Sequence, residues 1–399
     1  MNFTISVNLN NTLNFTEWRT NGSLDYDKRS SMAVLAQAAS LAVIMFSSIF
    51  GNILILLAIY INRHLREITS VFIANLACAD LLLSLIGMPF TLASSITYNW
   101  IFGEHVCRFH GMANGIFCFA SMLSLAAVSF ERFVAITKPL KYRLIMTQKT
   151  VTIMIVYVWF QSIFCALLPV FGWSRYTYVR NESMCTGDWP SDIPYVLFLF
   201  ALNFFFPLII MSYCYYHIFK TAIDHSKRIK TATECIGVLD KIEQRQKPKD
   251  NELESNVREE DIAKEMTKEE DLAQNKSTKK EHDFAQVKSI EIEINNSQEN
   301  KRQRTEKKYK QDKKAAKTLL LVMGTFLFCW FPHVLGMTCL LFPSCPWPDE
   351  FFATTTWLAM MNSGCNPIIY GLLNRRFRQS FKKLIFCGKL GRRIENAES

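Results

Sequence analysis

The chain has 399 residues, a formal net charge of +10 and equal shares of hydrophobic and other residues. Its lysines and arginines lie beside apolar runs or in one long insert that also holds many acids, with no aromatic-basic interleaving. That argues against a nucleic-acid partner and for the basic flanks of cytoplasmic membrane boundaries. The apolar residues form continuous blocks of about 20 residues or more, the length a helix needs to cross a hydrocarbon core of ~30 Å, and continuous rather than alternating runs exclude a β-barrel.

The chain opens on a polar stretch, residues 1–31, with Asn-x-Ser/Thr sequons at Asn2, Asn10, Asn14 and Asn21. Such acceptors are used outside the cell. The apolar blocks then run from about Met32 to Tyr60, Ser70 to Ile96, Val106 to Ile136, Val151 to Phe171 and Pro194 to Phe219, and, after the insert, from Ala315 to Leu341 and Phe351 to Leu373. Basic clusters follow the first, third, fifth and seventh blocks, so the expected topology has the N-terminus outside and the C-terminus inside. The expected division is residues 32–220 for helices one to five, 221–311 for a disordered charged loop, 312–373 for helices six and seven, and 374–399 for an amphipathic helix and tail. The ends of the charged loop are expected to extend helices five and six; a coiled coil is disfavoured because no heptad persists.

Pro89, Pro207, Pro332 and Pro367 each fall inside a block, where proline removes a backbone donor and distorts the helix. Asp80 lies in the middle of the second block, an expensive place for a carboxylate and therefore a functional candidate. Asn114, Cys118 and Ser121 are spaced to share one face of the third block. Most cysteines sit within apolar blocks, where they act as small hydrophobes.

Several runs carry a resemblance. The third block ends Phe130-Glu131-Arg132-Phe133, the sixth holds Phe326-Leu327-Phe328-Cys329-Trp330-Phe331-Pro332, the seventh holds Asn366-Pro367-Ile368-Ile369-Tyr370, and the second holds Asn75-Leu76-Ala77-Cys78-Ala79-Asp80. In this order they resemble the motifs of the rhodopsin-like (class A) G-protein-coupled receptors, with Phe133 where that family usually has Tyr. The resemblance implies an all-α bundle of seven transmembrane helices with a short amphipathic cytoplasmic helix, in the plasma membrane. It implies a signal receptor that activates heterotrimeric G proteins by outward movement of the sixth helix, with kinases and arrestin as further partners.

Residue by residue, the resemblance implies that Arg132 is held at rest by Glu131 and by Asp312, that Trp330 and Pro332 form a toggle, and that Tyr370, beside Asn366 and Pro367, swings toward Tyr215. It implies a disulfide between Cys107 and Cys185; the sequence leaves open whether Cys345 pairs with Cys339. It implies that Asp80, Ser121, Asn362 and Asn366, with Asn52 nearby, offer oxygen ligands to a sodium ion acting as an allosteric modulator, the alternative being a protonated Asp80 in a hydrogen-bond network. Asn374 to Phe381 resembles the family's helix on the inner membrane face, and Cys387 stands at palmitoylation distance, with a free thiol as the equal alternative.

The expected ligand pocket is lined by Asn114, Cys118, Asn203, Trp330, His333, Thr356 and Met360. Receptors for amine transmitters carry an aspartate where Asn114 stands, which argues against a charged amine. Opsins carry a lysine where Met360 stands, which argues against covalent retinal, although the loop from Phe171 to Trp189 looks opsin-like. A small molecule is the expected ligand, with a peptide as the alternative, and no cofactor is required. A transporter would show repeated halves and an enzyme a paired nucleophile and base; neither pattern is present in the sequence.

Overall fold

The computed structural model describes residues 31–246, 317–318, 320–342 and 345–395. The chain divides into two compact units, one formed by Met1–Tyr215 with Thr318–Ser399 and one by Tyr216–Lys317.

In chain order the helices are α1 (Ser31–Ile61), α2 (Ile68–Thr97), α3 (Glu104–Thr137), α4 (Gln148–Leu167), α5 (opening at Ile193–Phe200 and continuing as Phe206–Gln246), α6 (Leu320–Cys339), α7 (Asp349–Leu373) and α8 (Arg375–Glu395). A hairpin of β1 (Tyr176–Val179) and β2 (Met184–Gly187) joins α4 to α5, with Tyr178 opposite Cys185. Thr147 caps α4 by accepting the Thr150 N–H at 3.3 Å. Asp192 caps α5 by accepting the Tyr195 N–H at 3.2 Å, and Pro194 sits in the first turn where no N–H is needed.

Among the described residues, six helices are long and apolar enough to cross a membrane. The seventh, α7, falls short because Asp349, Glu350 and a series of threonines and asparagines lower its hydropathy. Its polar side chains turn inward: Thr355, Thr356, Asn362, Ser363 and Asn366 are buried. Conversely, α4 exposes Ile153, Val156, Phe160 and Phe164, a face suited to lipid. Polar ties hold the helices together where apolar burial cannot, since lipid is as apolar as the core. The Asn75 amide donates to Ser124 and its carbonyl accepts from Trp159, both at 2.8 Å, joining α2, α3 and α4. The hydroxyls of Ser84 and Ser48 join α2 to α1 at 2.7 Å.

The prolines distort the helices in two ways. In α2 a π-turn at Leu83–Gly87 stands directly before Met88 and Pro89, and in α5 a π-turn at Ala201–Phe205 stands directly before Phe206 and Pro207. A π-turn widens the ring of one helical turn, and proline, with no N–H to give, favours such a break. In α7, Pro367 orphans the carbonyl four residues earlier, that of Ser363. The Asn52 amide of α1 takes up that carbonyl at 3.1 Å. Gly51, its neighbour, lets α1 approach: a Cβ there would sit 2.6 Å from the Cβ of Pro367.

The fifth helix runs past residue 221 to Gln246, the extension expected at this end of the charged segment; residues 247–316 lie outside the described residues. In α8, Phe377 and Ser380 are buried, Phe381 and Leu384 half-buried, and Arg375, Arg376 and Arg378 exposed, the one-sided pattern of an interfacial helix.

Candidate functional site

Three sets of functional residues occupy three depths of the first unit. At the inner end of α3, Glu131 is buried and heavily bonded. Its Oε1 accepts the Tyr142 hydroxyl at 2.6 Å and the Thr69 hydroxyl at 2.8 Å. Its Oε2 faces the Arg132 Nε at 3.5 Å. Arg132 therefore has one carboxylate partner within its own helix, and two hydroxyls keep that carboxylate in place. The expected second partner, Asp312, lies outside the described residues. Tyr142 belongs to a short helical turn, Tyr142–Ile145, between α3 and α4; burial and the adjacent Glu131 carboxylate push its phenol above the usual range.

Tyr215 and Tyr370, expected to approach one another on switching, stand apart here, each with its own neighbour. Tyr215 shares a 2.8 Å hydrogen bond with Ser129 of α3. Tyr370 packs instead on Phe377 of α8 at 6.1 Å between ring centroids, and its hydroxyl has no hydrogen-bond partner among the described residues.

At mid-depth, Asp80 is fully buried. Its Oδ1 accepts the Ser121 hydroxyl at 2.7 Å and its Oδ2 accepts the Asn366 amide at 2.9 Å. The third neighbour in hydrogen-bond contact is Ser363 rather than the expected Asn362. One carboxylate with two hydroxyls is an oxygen-rich set of the kind that fits a small hard cation. Among the described residues no group of three His, Cys, Asp or Glu side chains could hold a metal.

Toward the outer end lies a cavity of about 110 Å³. Of the expected pocket residues, Asn114, Cys118, Trp330, His333, Thr356 and Met360 all line it. Asn203 does not. It falls inside the α5 π-turn, where its amide donates to the Leu199 carbonyl of its own helix at 3.3 Å, so the local widening carries it off the wall. The Asn114 amide is also committed: its nitrogen lies 3.0 Å from Nε2 and 3.3 Å from Nδ1 of His110, whose Nε2 is 3.0 Å from the Gly87 carbonyl.

The roof of the cavity is the β1–β2 hairpin. The Cys107–Cys185 disulfide ties it to α3. The Tyr176 ring packs so closely on α3 that a Cβ at Gly111 would lie 2.5 Å from it, and the Tyr176 hydroxyl donates to the Ala166 carbonyl of α4 at 2.6 Å. A second disulfide joins Cys339 and Cys345.

The roof contributes a residue that the sequence did not single out. Glu182, between the two strands, is 1% exposed and lines the cavity. Burial pushes its carboxyl up to about 8, with the Trp189 indole drawing it only partly back. The Trp189 indole faces the Glu182 carboxyl, and four further buried polar atoms on lining residues have no hydrogen-bond partner among the described residues: Asn114 Oδ1, Trp330 Nε1, His333 Nδ1 and Thr356 Oγ1. Trp330 and His333 meet edge to face, 6.0 Å between centroids.

A seven-helix bundle with an arginine held at its inner end, a buried carboxylate at mid-depth and a roofed outer cavity is the architecture of a membrane signal receptor. Residues 51–370 match the family described as 7 transmembrane receptor (rhodopsin family). Similar sequences include the octopamine receptor beta-2R of Chilo suppressalis, 28% identical over 90% of this chain and 81% of that protein. The alpha-2 adrenergic receptor of Carassius auratus is 30% identical over 86% of this chain and 83% of that protein. The solved structure of squid rhodopsin covers 96% of this chain and 90% of its own at 21% identity, with a TM-score of 0.67, a likeness of fold. The chain belongs to the rhodopsin family of seven-transmembrane receptors: it is a multi-pass membrane protein and a G-protein-coupled receptor, not an enzyme.

Proposed function

We propose that this receptor is switched by a small extracellular molecule bound in the cavity beneath the β1–β2 hairpin. The observation that carries this reading is the set of four unpartnered buried polar atoms on residues that line one cavity. Buried polar groups left unpaired are destabilising, about 1–3 kcal/mol each, so four on the walls of one space point to a polar ligand. The cavity also touches Trp330, two residues before Pro332 in α6. A ligand there bears directly on the helix whose inner end must move outward to admit a G protein. That movement releases Arg132 from Asp312, the partner expected on the sixth helix.

The same reading places the receptor in the plasma membrane with its N-terminus outside, where Asn2, Asn10, Asn14 and Asn21 accept glycans. It makes Asp80, Ser121 and Ser363, with Asn366 beside them, the holders of a sodium ion that favours the resting state. Kinases and arrestin engage the inner face, and Cys387 accepts a palmitoyl chain that holds α8 on the lipid.

The closed roof favours one second reading, a receptor active without ligand. The test is G-protein activation in cells across the main G-protein classes, for wild type and Arg132→Ala at equal surface expression, with and without a small-molecule library. A compound-dependent signal lost in Arg132→Ala supports the ligand-gated reading. A high basal signal lost in Arg132→Ala and unmoved by any compound supports the second. Equal signalling by Arg132→Ala and wild type refutes the role given to this helix end.

A further inference from the structure

We propose that the Glu182 carboxylate, on the loop roofing the cavity, is the counter-ion of a small protonated amine bound there. The inference rests on the ligand-gated reading above and specifies its ligand class. Asn114 brings no charge to the third helix, and among the residues lining the cavity Glu182 is the sole acid. Its side chain is 1% exposed, and the Trp189 indole that faces its carboxyl brings no charge. Arg180, two residues away, sits over the Tyr98 ring at 5.4 Å. A buried charge persists only when it is paired, and here the space that would hold the pair is the cavity itself. His333 stands on the same wall with an unpartnered Nδ1.

The remaining walls suit a cation. Phe119, Trp189, Tyr195 and Trp330 supply aromatic surface, which attracts an ammonium group through the ring quadrupole. The volume, about 110 Å³, is of the order of cavities that accept benzene. An amine carrying one short or aromatic substituent matches it. The octopamine and adrenergic receptors that this chain resembles are named for ligands of this kind. The departure at Asn114 then moves the negative charge from the floor of the cavity to its roof instead of abolishing it. When the amine binds, the ammonium arrives charged and Glu182 releases its proton to solvent; no covalent bond changes.

The test uses the purified full-length receptor, heated with methylamine, benzylamine and 2-phenylethylamine, and with benzyl alcohol as a neutral control of similar shape. A ligand that binds only the folded state raises the unfolding temperature with concentration. The expected result is such a rise for at least one amine and none for benzyl alcohol. In Glu182→Gln the half-maximal concentration rises about 30-fold or more. Glu182→Asp, which keeps the charge, retains a response, and adding Asn114→Asp to Glu182→Gln recovers one. The proposal is overturned if no amine in the series stabilises wild type, if benzyl alcohol matches benzylamine, or if Glu182→Gln responds like wild type.

A parallel G-protein assay separates the two readings. An amine that binds through Glu182 but leaves signalling unchanged upholds the counter-ion and refutes ligand gating by it. A library compound that activates wild type and Glu182→Gln alike upholds gating and refutes the counter-ion.

Discussion

Replacing Glu182 with Gln stabilises the unliganded receptor, and by an amount that grows with pH. The carboxyl ionises near 4.5 when exposed and only near about 8 when folded. Below 4.5 both states hold the proton, and the Glu and Gln proteins differ little. Between the two values the unfolded chain has released its proton while the folded one retains it, so wild-type stability falls by about 1.4 kcal/mol for each pH unit. The gap in favour of Gln is then about 2 kcal/mol at pH 6 and about 4 kcal/mol near pH 7.5, levelling at about 5 kcal/mol above pH 8. Every other titrating group is shared by the two proteins and cancels in the difference. The assay is the unfolding temperature of both proteins in detergent from pH 5 to pH 9, without ligand. Curves that run parallel across this range, or a Gln protein less stable at pH 8 than wild type, refute the argument that Glu182 is buried without a cation.

Three further outcomes follow from the contacts that hold the bundle and its roof. Asn52→Ala leaves the Ser363 carbonyl, already deserted by Pro367, without a donor and costs about 1–3 kcal/mol; Gly51→Ala drives a methyl group into Pro367 at a similar cost, and thermal unfolding of each variant checks both. Cys107→Ser opens a link between residues separated by 78 positions, worth about 4 kcal/mol in the chain-entropy account, and it loosens the roof, so limited proteolysis should cut between Tyr176 and Gly187 in the variant and spare wild type.

Much of this architecture was legible in the residues. Long apolar runs can only be helices in lipid, prolines mark where those helices deform, and Asp80 announces itself by its cost. The inner end was partly legible: Glu131 beside Arg132 is readable from adjacency, but the hydroxyls of Thr69 and Tyr142 that fix the carboxylate come from other segments. Asn203 was misplaced because helical spacing assumes a regular turn, and the π-turn before Pro207 breaks that spacing where Asn203 stands. The hydrogen bond of Tyr215 was not legible, because Ser129, an unremarkable small residue in α3, lies within reach of its hydroxyl. Glu182 carried no signal at all. An acid among Arg180, Asn181 and Ser183 reads as solvated loop, and it is the tie from Cys185 to Cys107, with Tyr176 packed on Gly111, that folds the loop inward and buries it.

The π-turns in α2 and α5 also bear on how the chain tolerates change in length. Such a turn accommodates one surplus residue while both flanking stretches keep their own faces. Deleting that surplus residue within Leu83–Gly87 would restore a regular helix with Thr91, Ser94 and Ser95 still facing the core, where they are buried. The same deletion in a regular stretch of α2 would rotate everything beyond it by about 100° and swing those three residues outward. The widened turn is thus the one point in this helix where a change of length by a single residue leaves its facing side unaltered.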